Sequence, residues 1–390
     1  MSVDVSVREP RSGSTHAWIR WLLLAVFCAA PQIVLAQPYT IDEFPIPLGG
    51  LSAYLASDDD GSIWYTVSFP RHAIGHVSPS GHITEYPIPT TAEDLSGIVI
   101  GPDKNVWFGE WSNPGGQEPL SRIGRISRSG GGFQEFTVPE SPHGQFYFAN
   151  PRRLIVGPDG NMWFTAGSDA LGRINTAGDV TMFYLPATGC FPSLPFVSEP
   201  YDLTVGPDGA LWLSVTSGTG PVRFDLTTHE FLVVSVWPCG TTSTGITSGP
   251  DGNLWLTDFN RSHLYRVTLS GGLTTIDFPG NPYGIVSVGN ELFISGSGTN
   301  LISRVDPETG TVLEDLPIPA PNDFPSYMAA DVAGNIWISQ QRGGHIGRLS
   351  RHPLTCIDAV ALTYQNQTLT MRFGLKTQSP ALWSTVLFVD

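Results

Sequence analysis

One short phrase recurs seven times along this chain. It reads GPDKNVW at Gly101–Trp107, GPDGNMW at Gly157–Trp163, GPDGALW at Gly206–Trp212 and GPDGNLW at Gly249–Trp255. Weaker copies are DDGSIW at Asp59–Trp64, VGNELF at Val288–Phe293 and VAGNIW at Val332–Trp337. A repeat of this kind constrains the fold before any single residue does, because each unit must bury its apolar face on its neighbours. The aromatic anchors Trp64, Trp107, Trp163, Trp212, Trp255, Phe293 and Trp337 lie 38 to 56 residues apart. That period fits the four-stranded blade of a β-propeller.

Each period divides into four short β-type runs. In the fourth they are Tyr201–Val205, Ala210–Val215, Pro221–Asp225 and Glu230–Val236; we label such strands A to D from the pore outward. The Asp-Gly pair between A and B is a hairpin signal, since glycine accepts positive φ at no steric cost. Strand C has its own wording: IGHV at Ile74, IGRI at Ile123, LGRI at Leu171, PVRF at Pro221, LYRV at Leu264, ISRV at Ile302 and IGRL at Ile346. Strand D reads ITEYPIP at Ile83, FQEFTVP at Phe133, VTMFYLP at Val180 and VLEDLPIP at Val312. No segment shows a 3.6-residue apolar period, so helix should be scarce. The stretch TIDEFPIP at Thr40–Pro47 has the strand-D wording but precedes the first blade, and the seventh blade lacks a strand D of its own. The expectation is an all-β, seven-bladed β-propeller over 37–352 closed by the N-terminal strand, a device that leaves no exposed sheet edge. Residues 353–390 lack the repeat and read as a short β-rich tail, an incomplete module that stops inside an apolar strand.

Residues 1–36 read as a secretory signal peptide. Arg8, Arg11 and Arg20 precede the apolar run Trp21–Ala30, and Val34-Leu35-Ala36 forms a small-residue cleavage site. The run is too short for a spanning helix, and Phe27 before Cys28 argues against lipidation. A secreted or periplasmic protein is expected, with no membrane association after signal removal. The formal net charge of −15 repels polyanions, which argues against nucleic acid as a partner. A monomer is expected. In an oxidising compartment Cys190 and Cys239, in corresponding loops of neighbouring blades, are candidates for a disulfide; the alternative is two buried thiols. Cys356 is left odd, and no Cys/His spacing resembles a zinc site.

Chain direction sets the working face. If A descends to the GPDG turn and B climbs back, the B–C and D–A loops share the top. The insertions Ser112–Leu120, Pro139–Asn150, Ala187–Pro200, Trp237–Thr244 and Pro319–Pro325 all fall there, and long loops gathered on one face of a rigid scaffold mark a binding face. A small molecule or peptide bound at the top of the pore is the expected partner. Two positions per blade should line that mouth. The first residue of strand A gives Ala53, Ser96, Arg152, Tyr201, Thr244, Tyr283 and Ser326 or Tyr327. The third residue after the anchor gives Val67, Glu110, Ala166, Val215, Asp258, Gly296 and Gln340.

Glu110 and Asp258 are candidate catalytic carboxylates, as acid and base or as ligands of a hard cation. Glu110 alternatively pairs with Arg152, which would hold it charged. Arg152, Tyr201, Tyr283, Tyr327, Gln340, Trp111 and His143 are candidate ligand-binding residues. The tyrosines either stack on a ligand or plug the pore, and His143 is a ligand contact or simply solvated. His76 occupies the slot that holds Arg in other blades and reads as structural. The run Asp58–Asp60 is a solvated turn or a calcium site.

The GPDGNLWFT-type turns, IGRI and ITEYPIP together resemble the virginiamycin B lyase (streptogramin lyase) family, over about Thr40–Leu349. The resemblance implies a seven-bladed propeller and magnesium-assisted opening of a cyclic depsipeptide ester by elimination. It also implies histidines at Pro-His-Gly-Ile-type starts of strand A and a glutamate after a Trp-Phe anchor. The matching starts here are Pro200-Tyr201, Pro282-Tyr283 and Pro325-Ser326-Tyr327, without histidine; Glu110 in WFGE matches the glutamate wording, in an early blade. Three readings follow: a binding propeller without catalysis, a magnesium-dependent carbon–oxygen lyase, and a calcium-dependent lactonase-like hydrolase. No cofactor is certain, with magnesium implied by the resemblance alone.

Overall fold

The computed structural model describes residues 2–8, 39–69, 71–90, 94–112, 120–140, 150–167, 169–186, 199–216, 220–234, 237, 241–321, 323–351, 357–365 and 368–375. It contains seven four-stranded antiparallel sheets. Six are consecutive: strand A to strand D run from Leu51–Ser57 to Ile83–Pro87 in blade 1 and from Pro282–Val288 to Val312–Pro317 in blade 6. Blade 7 takes A, B and C from Pro325–Ala330, Ile336–Gln340 and His345–Arg351, and its outermost strand from Tyr39–Pro45 at the other end of the chain. The expected closure is therefore present. Among the described residues the only helix is the single 3-10 turn Pro47–Gly49. The chain divides into two units, 41–350 and the residues outside it. In the second, Ser2–Arg8 pairs antiparallel with Thr368–Leu375, which pairs with Ile357–Gln365.

The anchors explain the repeat. Each Trp inserts into the core of the following blade: Trp64 packs with Ile98, Val106 and Phe108, and Trp163 with Leu203, Leu211 and Phe224. Trp337 of the last blade packs with Leu55, Ile63 and Tyr65 of the first, which closes the ring a second time. Six anchors donate their indole N–H to the turn aspartate, as Trp107 does to Asp103 at 2.9 Å and Trp163 to Asp159 at 2.9 Å. A buried indole N–H needs such an acceptor. The strand-C arginine covers the ring from outside: the Arg125 guanidinium lies 4.9 Å from the centre of Trp107 and pairs with Asp103. In blade 1 the His76 ring takes that place, 4.5 Å from Trp64, so the histidine is structural. Asp58 accepts the Trp64 N–H and pairs with Arg128, while Asp59 pairs with Lys104. The Asp58–Asp60 run is thus a turn and an ion-pair cluster.

Strand A departs from regular pleating at its upper end in every blade. The register slips between Ser52 and Leu55, Leu95 and Ile98, Pro151 and Leu154, Pro200 and Leu203, Ser243 and Gly245, Pro282 and Ile285, and Pro325 and Met328. An irregularity of this type re-aims side chains that strict alternation would send elsewhere.

Candidate functional site

A hydroxyl two residues after the anchor fixes the upper end of strand A. Thr165 accepts the Arg153 N–H at 3.1 Å and donates to the Tyr201 carbonyl of the next blade at 3.1 Å. Ser295 accepts the Gly284 N–H at 2.8 Å and donates to the Ser326 carbonyl at 2.7 Å. Blade 2 has Gly109 at this position, and Ser96 fills the space from strand A; a Cβ on Gly109 would lie 2.2 Å from the Ser96 hydroxyl, which donates to the Pro151 carbonyl. These staples hold the first residues of neighbouring A strands side by side around the axis.

Four tyrosines meet there. Tyr201 and Tyr283 stand two places before Leu203 and Ile285 of strand A, Tyr54 and Tyr327 one place before Leu55 and Met328. Their phenol oxygens lie 2.5 Å apart for Tyr201–Tyr283, 3.3 Å for Tyr283–Tyr327, 3.2 Å for Tyr327–Tyr201 and 3.0 Å for Tyr327–Tyr54. The Tyr54 and Tyr327 rings stack at 4.1 Å. Burial pushes the phenols of Tyr54, Tyr283 and Tyr327 above the ordinary tyrosine value, so the cluster is neutral and hydrogen-bonded. It plugs the pore. Toward the A–B turns the axis opens into a channel of about 440 Å³ lined by strand A of all seven blades, with Leu55, Ile98, Leu154, Leu203, Ile285 and Met328 among its walls. Beside the channel Asp202 accepts N–H bonds from Leu203 and Ile246 and pairs with Arg153 at 3.1 Å. Burial raises its carboxyl against the pull of that arginine.

On the loop side the plug carries an aromatic cup. Phe259 meets the Tyr283 ring edge-on at 5.9 Å and Phe324 at 6.1 Å. Two cations rest on these rings: Arg152 lies 5.2 Å from the centre of Tyr201, and Arg342 lies 4.9 Å from that of Phe324. Tyr201, Tyr283, Phe259 and Phe324 are all half-buried, and so keep part of their surface exposed. Next to the cup, Asp323 approaches Nδ1 of His345 through Oδ2 at 3.2 Å. Burial raises the Asp323 carboxyl, and His345 partly offsets this.

The residues three after the anchor do not line the mouth. Glu110, Asp258 and Gln340 are fully buried, because strand B stands behind strand A and its side chains fill the space between blades. Glu110 accepts from Thr90 Oγ1 at 2.8 Å, and its other oxygen has no hydrogen-bond partner among the described residues. Arg152 is engaged with Tyr201, so the expected Glu110–Arg152 pair gives way to a carboxyl that burial and the neighbouring Glu135 push up to about 8. Asp258 accepts from the Tyr265 phenol at 3.0 Å and from the Thr242 and Arg261 N–H groups at 3.3 Å each, which ties the D–A loop ahead of blade 5 to its B–C loop. Gln340 donates to Glu43 at 3.2 Å. Trp111 is half-buried, its indole N–H without an acceptor among the described residues. His143, Cys190, Cys239 and Cys356 lie outside the described residues.

The structure thus brings Arg152, Tyr201, Tyr283 and Tyr327 together and keeps Glu110, Asp258 and Gln340 apart in three blades. Tyr54, Phe259, Phe324, Asp323, Arg342 and His345 escaped the sequence reading. The insertion Pro319–Pro325 was the available signal for two of them. Magnesium is a poor match to this donor set: among the described residues no three His, Cys, Asp or Glu side chains converge as metal ligands, and Asp258 is already held by Tyr265, Thr242 and Arg261.

A model of the virginiamycin B lyase family matches residues 194–366. Virginiamycin B lyase from Staphylococcus aureus is similar in structure, with a TM-score of 0.68 and 25% identity over 80% of this chain and 99% of that one. A catalytically inactive histidine-to-alanine variant of that enzyme with quinupristin gives a TM-score of 0.67 and 24% identity over 80% and 99%. The extracellular domain of a hybrid two-component system from B. thetaiotaomicron shares the fold at 15% identity and a TM-score of 0.58, over 83% of this chain and 45% of that one. Comparison with curated proteins finds no match.

Proposed function

We propose that this chain, a virginiamycin B lyase-like seven-bladed β-propeller, binds a small molecule or peptide in the aromatic cup above the tyrosine plug. The observation that carries this reading is the cup itself: Tyr201, Tyr283, Phe259 and Phe324 keep part of their surface exposed over a sealed pore, with Arg152 and Arg342 set against two of them. Ligand sites are largely apolar concavities with a few placed polar groups. This one suits a ligand with a flat apolar face and carbonyl or anionic oxygens for the guanidinium groups. The signal-like segment 1–36 supports binding outside the cytoplasm.

Quinupristin, present with the structurally similar lyase variant, is the first probe. Calorimetric titration should show binding that weakens about tenfold or more in Arg152→Ala and in Phe324→Ala, as loss of a desolvated cation or an aromatic anchor does. Equal affinity in wild type and both variants would remove the cup as the site.

The magnesium-dependent lyase remains the second reading, favoured by the WFGE wording at Glu110. A ring-opened product of unchanged mass, lost on addition of chelator, would establish it. The third, a calcium-dependent hydrolase, needs several convergent oxygen ligands and finds no such cluster among the described residues.

A further inference from the structure

We propose that Asp323 and His345 form a proton-accepting dyad at the edge of the aromatic cup, and that it promotes cleavage of an ester or lactone by water. The inference rests on the cup as the binding site. Asp323 belongs to the top insertion between blades 6 and 7, and its side chain is 5% exposed. Its Oδ2 lies 3.2 Å from His345 Nδ1. With Nδ1–H donated to the carboxylate, the imidazole lone pair sits on Nε2. That nitrogen has no hydrogen-bond partner among the described residues, and the ring is 28% exposed.

The pair is built rather than incidental. The Asp323 N–H donates to Asn300 Oδ1 at 3.0 Å, and the Arg342 N–H donates to the Asp323 carbonyl at 3.1 Å. Asn300 and Phe324 both have positive φ, +59° and +50°. Ser262 and Asn281 hold the corresponding places one blade earlier with φ of +55° and +53°, so this backbone geometry belongs to the repeat and fixes the loop that carries Asp323. Gly343 presses on the carboxylate; a Cβ there would come within 1.7 Å of Oδ1.

Blade 5 supplies the contrast. His263 holds the same place at the start of strand C, but its Nε2 pairs with Asp277, which is 97% exposed. The repeat therefore does not require a buried aspartate here. Phe324, next to Asp323 in the chain, is a wall of the cup, and Arg342 covers it.

Asp323 from the D–A loop faces the imidazole directly, Glu43 of the closing strand acts on the Asp323 carboxyl, and the Arg342 guanidinium lies over Phe324. In the reaction His345 Nε2 takes a proton from water as the water oxygen bonds to the ester carbonyl carbon. The π electrons move to the carbonyl oxygen. Re-forming the carbonyl breaks the bond to the alkoxy oxygen, which recovers the proton from Nε2. Ester and water become acid and alcohol.

The test uses 4-nitrophenyl acetate, an ester too small to depend on the full cup, with the whole protein. Hydrolysis should exceed buffer and fall at least tenfold in both His345→Gln and Asp323→Asn. Nitrogen-15 NMR of the neutral ring should show Nδ1 protonated in wild type and a shift toward Nε2 protonation in Asp323→Asn, as loss of an orienting carboxylate predicts. Equal rates in wild type and His345→Gln, or an Nε2-protonated ring in wild type, would overturn the dyad. The NMR result decides even if a variant fails to fold. Ester cleavage that depends on His345 without quinupristin binding would sink the cup and leave the dyad standing.

Discussion

Tyr54 and Tyr327, 273 residues apart, stack their rings at 4.1 Å and share a hydrogen bond of 3.0 Å between their phenol oxygens. The contact joins the first blade to the last at the axis, inside the ring that the Tyr39–Pro45 strand closes at the rim. Tyr327 is the hub of the plug, bonded also to Tyr201 and Tyr283. Tyr327→Phe keeps the ring and removes the hub. Denaturant unfolding should show a loss of about 1–3 kcal/mol, the range for stranding buried hydroxyl partners. An unchanged midpoint would mean that water replaces the lost bonds.

Glu110 predicts how stability depends on pH. Its carboxyl titrates near 4.5 in the unfolded chain and at about 8 in the fold. Between those values the unfolded state binds fewer protons, so stability falls as pH rises. The contribution is complete below about 4.5 and is lost as pH passes 8. At about 1.4 kcal/mol per unit, the effect reaches a few kcal/mol. Glu110→Gln mimics the protonated form, so unfolding curves at pH 5 to 9 should be flatter for the variant and cross those of wild type. Parallel curves would show that the carboxyl ionises without consequence.

The turn aspartates act in the opposite direction. Burial works against ionisation of Asp159, but hydrogen bonds from Asn161 and the Trp163 indole outweigh it, and its carboxyl sits below the usual range. Its stabilisation is present at neutral pH and lost as pH falls through the folded value. Asp159→Ala should lose about 1–3 kcal/mol at pH 7 and soften acid unfolding below pH 4, as read by near-ultraviolet circular dichroism.

Deleting Tyr39–Pro45 should open the ring. Blade 7 would lose its outer strand, the Phe44 ring that packs 5.7 Å from Trp337, and the Arg348–Asp42 pair at 2.8 Å. An exposed strand C is an aggregation edge, so size-exclusion chromatography should show larger species for the deletion variant than for the intact chain. A monomer with unchanged melting temperature would mean that another segment covers the edge.

The blade count and the closing strand were legible because both depend on short-range wording: a turn, an anchor, and the PIP ending of strand D. The floor of the cup was half legible. Counting from the turns put Tyr201 and Tyr283 at the mouth, but Tyr54 and Tyr327 stand one place further along. They reach the axis through the slipped register at the top of strand A; Tyr327 was among the expected residues, and Tyr54 alone was missed. Glu110, Asp258 and Gln340 lie away from the open mouth for the converse reason: strand B is the second strand from the axis, so a polar residue at its end meets the adjacent blade and not solvent. Asp323 and His345 come from a loop and the start of a strand far apart in wording, and only the fold shows that they touch.

The Tyr39–Pro45 strand leaves the ribosome before any of the blades, yet its hydrogen-bonding partner is the strand His345–Arg351. An open solenoid can consolidate unit by unit as it is made. Six blades of this ring have that option, but the seventh does not: its outer strand must wait, unpaired, until His345–Arg351 is made. Such a distant pairing slows folding and leaves the seventh sheet without its outer strand until the last of its strands is made.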